Sequence, residues 1–173
     1  MTRDHILVAG IGNIFHGDDG FGVEVAQRLL GRPQPNGVRV VDFGIRGLDL
    51  AYALMDGYEV TILIDATQRG EMPGTLNSIE LDLSDLDDLP PDSVAVDTHG
   101  MNPMRVLRMV KSFGGELSRI LLVGCQPAAL GPEEGFMGLS EIVMAAVDPA
   151  VEIVERLVTK NLQSAFAAAG KEA

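Results

Sequence analysis

Between Gly10 and Gly22 the chain reads Gly-Ile-Gly-Asn-Ile-Phe-His-Gly-Asp-Asp-Gly-Phe-Gly, a glycine-rich turn carrying the adjacent carboxylates Asp18 and Asp19 and the imidazole of His16. Another carboxylate, Asp65, ends the strand read from Glu59 to Ile64, and another imidazole, His99, stands in Asp97-Thr98-His99-Gly100-Met101-Asn102-Pro103. Carboxylates from separate segments that meet in one crevice can share a proton or, joined by an imidazole, hold a divalent cation with coordination positions to spare. Asp19, Asp65 and His99 form such a donor set. It suits zinc, nickel or iron, and manganese if the carboxylates dominate, so the residue types do not name the metal. His99 lies three residues ahead of Asn102, a helix cap by its chemistry, and a helix N-terminus favours the neutral imidazole that a metal needs. Asp18 has a simpler reading as the cap of the first helix, and His16 as a contact within its own loop.

Other chemistries fit less well. A dinucleotide fingerprint wants a third glycine where Phe15 stands, and Asp18 and Asp19 would oppose a phosphate at the helix N-terminus; only Asp42, at the end of the second strand, speaks for it. There is no G-x-S-x-G elbow and no H-E-x-x-H pair, and Cys125, ending an apolar strand, reads as a small buried side chain.

These residues must be held by strands and helices that alternate along the chain. His5 to Ile11 is a continuous apolar run bounded by glycine, the pattern of a strand buried on both faces of a parallel sheet. Phe21, Val25 and Leu29, with Gly22, Ala26 and Leu30, recur at helical spacing up to Gly31. Val38 to Asp42 predicts a strand, Leu48 to Met55 a short helix, and Glu59 to Ile64 a third strand. Gly74 to Leu81 alternates as a half-exposed edge strand does, and Ser84 to Asp92 is an acidic surface loop. Asn102-Pro103 opens a helix that ends near Gly114-Gly115, Arg119 to Gly124 is the last strand, and the C-terminal third is helical. Asp148-Pro149 marks a kink or a new start there, and the tail beyond Asn161 is expected to fray. Alternating elements of this kind predict α/β: a three-layer α/β/α sandwich with a mostly parallel, mixed central sheet of about five strands. In such sheets ligands gather beyond the C-terminal strand ends, where Asp19 and Asp65 fall.

The 173 residues suit a single domain, residues 1–173, and 46% hydrophobic against 22% charged residues suffices for a buried core. A formal net charge of −12 argues against nucleic acid as a partner. No stretch is long and apolar enough for a membrane span, and a lone cysteine fits a reducing cytoplasm.

Taken in order, Gly10-x-Gly12-Asn13-x4-Asp18-Asp19-x2-Gly22, Ile64-Asp65-Ala66, Pro73-Gly74, Thr98-His99 and Val123-Gly124-x-Gln126-Pro127 resemble the hydrogenase maturation endopeptidases, from about Ile6 through Leu157. The resemblance implies a three-layer α/β/α enzyme that removes the C-terminal extension of a nickel-iron hydrogenase large-subunit precursor once nickel is inserted. It maps the metal-contacting positions onto Asp19, where many members have Glu, and onto Asp65 and His99. The hydrolytic step then has two readings: nickel polarises the scissile carbonyl or a water, a metal-assisted peptidase, or Asp19 and Asp65 act as general acid and base and the ion serves only for docking, an aspartic-type one. Asp42-Phe43-Gly44 stands where the family often has Asp-Gly-Gly, which implies a substrate-recognition role for Asp42 and Gly44 and marks Phe43 as a departure. The nickel then belongs to the precursor. The rival from another class is a non-catalytic nickel-dependent chaperone or metal-sensing module that binds the precursor without cutting it.

Overall fold

The computed structural model describes residues 5–86, 101–128 and 137–169. Five strands form one sheet: β1 (Ile6–Ile11), β2 (Val38–Gly44), β3 (Val60–Ala66), β4 (Leu76–Glu80) and β5 (Arg119–Cys125), in the order β2-β1-β3-β5-β4. The first four positions are parallel and β4 pairs antiparallel with β5 at the edge. The alternating exposure of β4 is what an edge strand with one solvated face requires.

Among the described residues four α-helices cover the two faces: α1 (Phe21–Leu30) and α4 (Glu141–Ala169) on one, α2 (Gly47–Met55) and α3 (Pro103–Ser112) on the other. The pleat divides β1 between them. Ile6 and Val8 pack with Phe21, Val25, Val147 and Val151, while Leu7, Ala9 and Ile11 pack with Leu50, Leu54, Leu107 and Val110. Each such fully buried aliphatic or aromatic side chain contributes about 1.5–3 kcal/mol relative to exposure, so the two apolar layers carry most of the fold's stability. The sheet is thus the expected three-layer, mostly parallel one.

Asn102 caps α3 as its chemistry predicts: the Met104 N–H donates to Asn102 Oδ1 at 3.0 Å, and Pro103 occupies the first turn. Two expectations need correction. The segment expected to fray beyond Asn161 continues α4 to Ala169: Asn161 and Leu162 are buried and Asn161 Oδ1 accepts from Arg119 at 2.9 Å, while residues 163–169 are mostly exposed. Pro149 lies inside this one helix, where the buried Ala150, Val151 and Val154 hold the segment across the missing hydrogen bond. The acidic stretch begins with a one-turn helix, Leu83–Leu86, whose Leu86 is buried, so its start is anchored core; residues 87–92 lie outside the described residues.

Candidate active site at the strand ends

The chain leaves β1 toward one side of the sheet and returns to β3 on the other, so the crevice between the C-terminal ends of β1 and β3 is the switch point of the sheet. Asp65 is the residue before the last of β3, paired in register with Gly124 of β5. Asp19 sits in a one-turn 3-10 helix, Asp18–Gly20, inserted between β1 and α1.

Two glycines bring these carboxylates together. A Cβ on Gly22 would lie 2.0 Å from the Ile64 carbonyl oxygen and 2.3 Å from that of Ile11, so only glycine lets the start of α1 rest directly on the ends of β1 and β3. Gly12, at φ 139°, is backed by the Asp19 carbonyl, which a Cβ would meet at 1.9 Å. The Asn13 N–H then donates to Asp19 Oδ2 at 2.8 Å, and Asn13 Oδ1 accepts from the Phe15 N–H at 2.9 Å, which closes the turn.

The electrostatics follow from that packing. Burial pushes the Asp65 carboxyl well above the ordinary carboxylate range, and the negative charge of Asp19 pushes it further, against a smaller opposing effect of the Ala66 N–H. Asp19 is also raised by burial, but the Asn13 N–H and nearby His16 favour its ionised form. The site therefore holds two unequal carboxyls: Asp65 retains its proton to higher pH and Asp19 yields its own first. A pair of this kind can pass a proton, or surrender it to an arriving cation.

His99, expected as the nitrogen donor, lies outside the described residues. Among the described residues no three His, Cys, Asp or Glu side chains gather as a metal cluster. His16 faces Asp19 electrostatically, as a loop contact does.

Asp18 does not cap α1. Neither the 3-10 turn nor α1 has a side-chain cap. Its carboxylate, only 1% exposed, turns away from Asp19 and accepts from the Ala128 N–H at 2.8 Å, the Ser140 N–H at 2.7 Å and the Ser140 hydroxyl at 3.0 Å. Cys125 is buried as expected, and burial and the charge of Asp18 push its thiol up to about 11, far from nucleophilic use.

Asp42 lies two residues before the end of β2, beside a groove of about 310 Å³ lined by Gly12, Phe15, Asp42, Gly44, Ile45 and Arg46 among others. Its side chain accepts from Gln27 Nε2 at 2.8 Å and its carbonyl from the Arg46 guanidinium. Gly44, at φ 55°, lets the chain turn over the groove. Phe43 also lines this groove, while at 4% exposure it is buried among the side chains of the α2–α3 core.

Gln126 is a residue whose part the sequence concealed. It is buried, its Oε1 accepts from the Arg69 N–H at 2.7 Å and the Glu71 N–H at 3.3 Å, and its backbone pairs with Gly74 and Thr75, so it shapes the loop that follows Asp65. A lone Gln-Pro after a strand carries no local pattern that would announce this.

A doubly wound α/β domain with two coupled carboxyls at its switch point is a frame suited to hydrolysis or to cation recognition. The family model of hydrogenase maturation protease (HycI) matches residues 23–157, a span that includes Asp65 and His99 and begins just after Asp19. The hydrogenase expression/formation protein HoxM of Azotobacter vinelandii is 34% identical over 158 residues, covering 88% of this chain and 72% of its own. Among solved structures, the hydrogenase 2 maturation peptidase of Thaumarchaeota archaeon SCGC_AB-539-E09 superposes with a TM-score of 0.66 at 34% identity, covering 91% of this chain and 99% of its own. The hydrogenase maturating endopeptidase HybD of E. coli does so with a TM-score of 0.71 at 26% identity, covering 92% and 94%. The chain belongs to the hydrogenase maturation protease family. No helix among the described residues is long and apolar enough to cross a membrane.

Proposed function

We propose that the protein is an endopeptidase that removes the C-terminal extension of a nickel-iron hydrogenase large-subunit precursor after nickel has been inserted. The observation that carries this reading is the pairing of Asp19 and Asp65 at the switch-point crevice, with the Asp65 proton held by burial and by its neighbour's charge. In this reading Asp19, Asp65 and His99 contact the nickel that the precursor brings with it. Burial and the neighbouring charge of Asp19 oppose ionisation of Asp65, and an arriving cation favours it, so engagement is coupled to the metal. Nickel-free precursor offers no such cation and is left uncut. Once the precursor is seated, the two carboxyls lie beside the scissile bond, where an ionised and a protonated carboxyl can serve as base and acid toward water and leaving amine.

Asp42 and Gly44, on the adjoining groove, are assigned to recognition of the precursor segment next to the cleaved bond. The buried free thiol of Cys125 accords with a reducing compartment, and we place the protein in the cytoplasm.

The test is a mass measurement. Incubation of nickel-loaded precursor with the protein is expected to release a short C-terminal peptide, nickel-free precursor is expected to stay intact, and His99→Ala is expected to abolish release. A stable complex with no change in precursor mass would identify a nickel-dependent chaperone or metal-sensing module instead. Equal release by His99→Ala would remove His99 from the site.

A further inference from the structure

The sequence places Asp18 and Asp19 side by side, but the fold sends their carboxylates to different duties. The carboxylate of Asp18 is buried and, among the described residues, bound by three donors from two other segments: the Ala128 N–H just past β5, and the N–H and hydroxyl of Ser140 at the start of α4. Ser140 is itself fixed as the cap of that helix. Its hydroxyl accepts from the Val143 N–H at 3.4 Å and its carbonyl from the Met144 N–H at 2.8 Å. Ala128 stands two residues beyond Gln126, which shapes the loop after Asp65. One buried carboxylate thus joins the β1–α1 turn to the element that follows the Asp65 loop's organiser and to the N-terminus of the longest helix.

Asp19 has little freedom once Asp18 is tied. The turn between them is closed by the Asp19 N–H on the His16 carbonyl at 3.2 Å and the Gly20 N–H on the Gly17 carbonyl at 3.1 Å. The Asp19 carbonyl rests on Gly12, and its Oδ2 takes the Asn13 N–H. We infer that Asp18 is a positioning residue, which fixes the Asp19 carboxylate opposite Asp65 by anchoring the turn to Ala128 and Ser140. It touches neither substrate nor reacting atoms. The inference rests on the peptidase reading given above for its consequence in catalysis, while the geometry it asserts is independent of that reading.

Asparagine at position 18 keeps the size of the side chain but presents one acceptor oxygen and an NH2 group to three converging donors, so the anchor fails while the core stays filled. The experiment compares wild type, Asp18→Asn and Leu162→Ala, the last a destabilised control whose site lies far along α4, in nickel-dependent peptide release well below their melting temperatures. Asp18→Asn is expected to lower kcat by about a hundredfold, the cost of a misplacement of about 1 Å, with KM within about twofold of wild type. Leu162→Ala is expected to keep the wild-type kcat. Amide exchange supplies a readout that needs no activity: the Asn13 N–H, held by Asp19, is expected to exchange at least about tenfold faster in Asp18→Asn, with the Ile62 amide unchanged. Where Asp18→Asn does not accumulate, Ser140→Ala removes one donor and is expected to show the same two effects at several-fold size. A wild-type kcat in the anchor variant, or an unchanged Asn13 exchange rate, overturns the inference. If wild type itself releases no peptide, the peptidase reading falls and Asn13 exchange alone decides whether Asp18 positions Asp19.

Discussion

The charge of Asp19 bears on the carboxyl of Asp65 across the crevice between β1 and β3, and together with burial it keeps the Asp65 proton in place above the ordinary carboxylate range. Asp19 comes from the turn before α1 and Asp65 from the end of β3, and Gly22 lets α1 start on the ends of both strands, which brings that turn to β3. Neither carboxyl would be perturbed this way in an open turn.

Activity should depend on both members of the pair. Asp19→Asn and Asp65→Asn are each expected to lower precursor cleavage at least about a hundredfold, the usual worth of a positioned acid or base. Peptide release followed by mass spectrometry checks this, and circular dichroism confirms that the variants fold.

Stability should carry a pH signature of Asp65. A carboxyl whose folded pKa is raised binds its proton more tightly in the native state, so the native state is favoured below the unfolded value of 3.8 and loses that advantage as pH rises through the raised folded value. Asp65→Asn abolishes the loss. It is expected to melt above wild type at about pH 8, with the gap closing toward about pH 4, in thermal denaturation followed across that range. A gap independent of pH would show that the raised carboxyl does not contribute.

The glycines at the turn should tolerate no side chain. Gly12→Ala forces a Cβ to within 1.9 Å of the Asp19 carbonyl oxygen at φ 139°, and Gly22→Ala forces one to within 2.0 Å of that of Ile64. Each is expected to cost more than about 3 kcal/mol or to abolish folding. Gly70→Ala, where nothing lies within 4 Å, is expected to cost only about 1 kcal/mol for its positive φ. Denaturant melts of the three separate steric collision from backbone strain.

The thiol should be silent. Cys125 is buried and its pKa lies at about 11, so thiol reagents are expected to react at full rate only after unfolding and to leave activity intact in the native protein. Titration with a chromogenic disulfide, with and without denaturant, checks both parts.

Much of this was legible from local pattern. The continuous apolar runs of β1, β3 and β5 are the pattern of strands buried on both faces, and Asn102-Pro103 declares the start of α3, because these signals arise from burial and capping within a few residues. The end of α4 was not legible. What anchors the helix around Asn161 and Leu162 is burial and the bond from Arg119 to Asn161, and neither is visible in the segment itself. The role of Asp18 was hidden for the same reason: a capping residue and a long-range anchor look identical in sequence, and the partners at Ala128 and Ser140 lie more than a hundred residues away.

By itself the sequence determined which side chains are available for chemistry, the alternation of strand and helix, and that Asp19 follows the first strand while Asp65 falls at the end of the third, since all of these depend on residue type and short-range periodicity. The tertiary structure alone decided that those two carboxyls share a desolvated crevice with unequal hold on a proton, and that Asp18 faces away to bind another part of the chain. Proton affinity and side-chain direction are set by what surrounds a group in space, and that is supplied by segments distant along the chain.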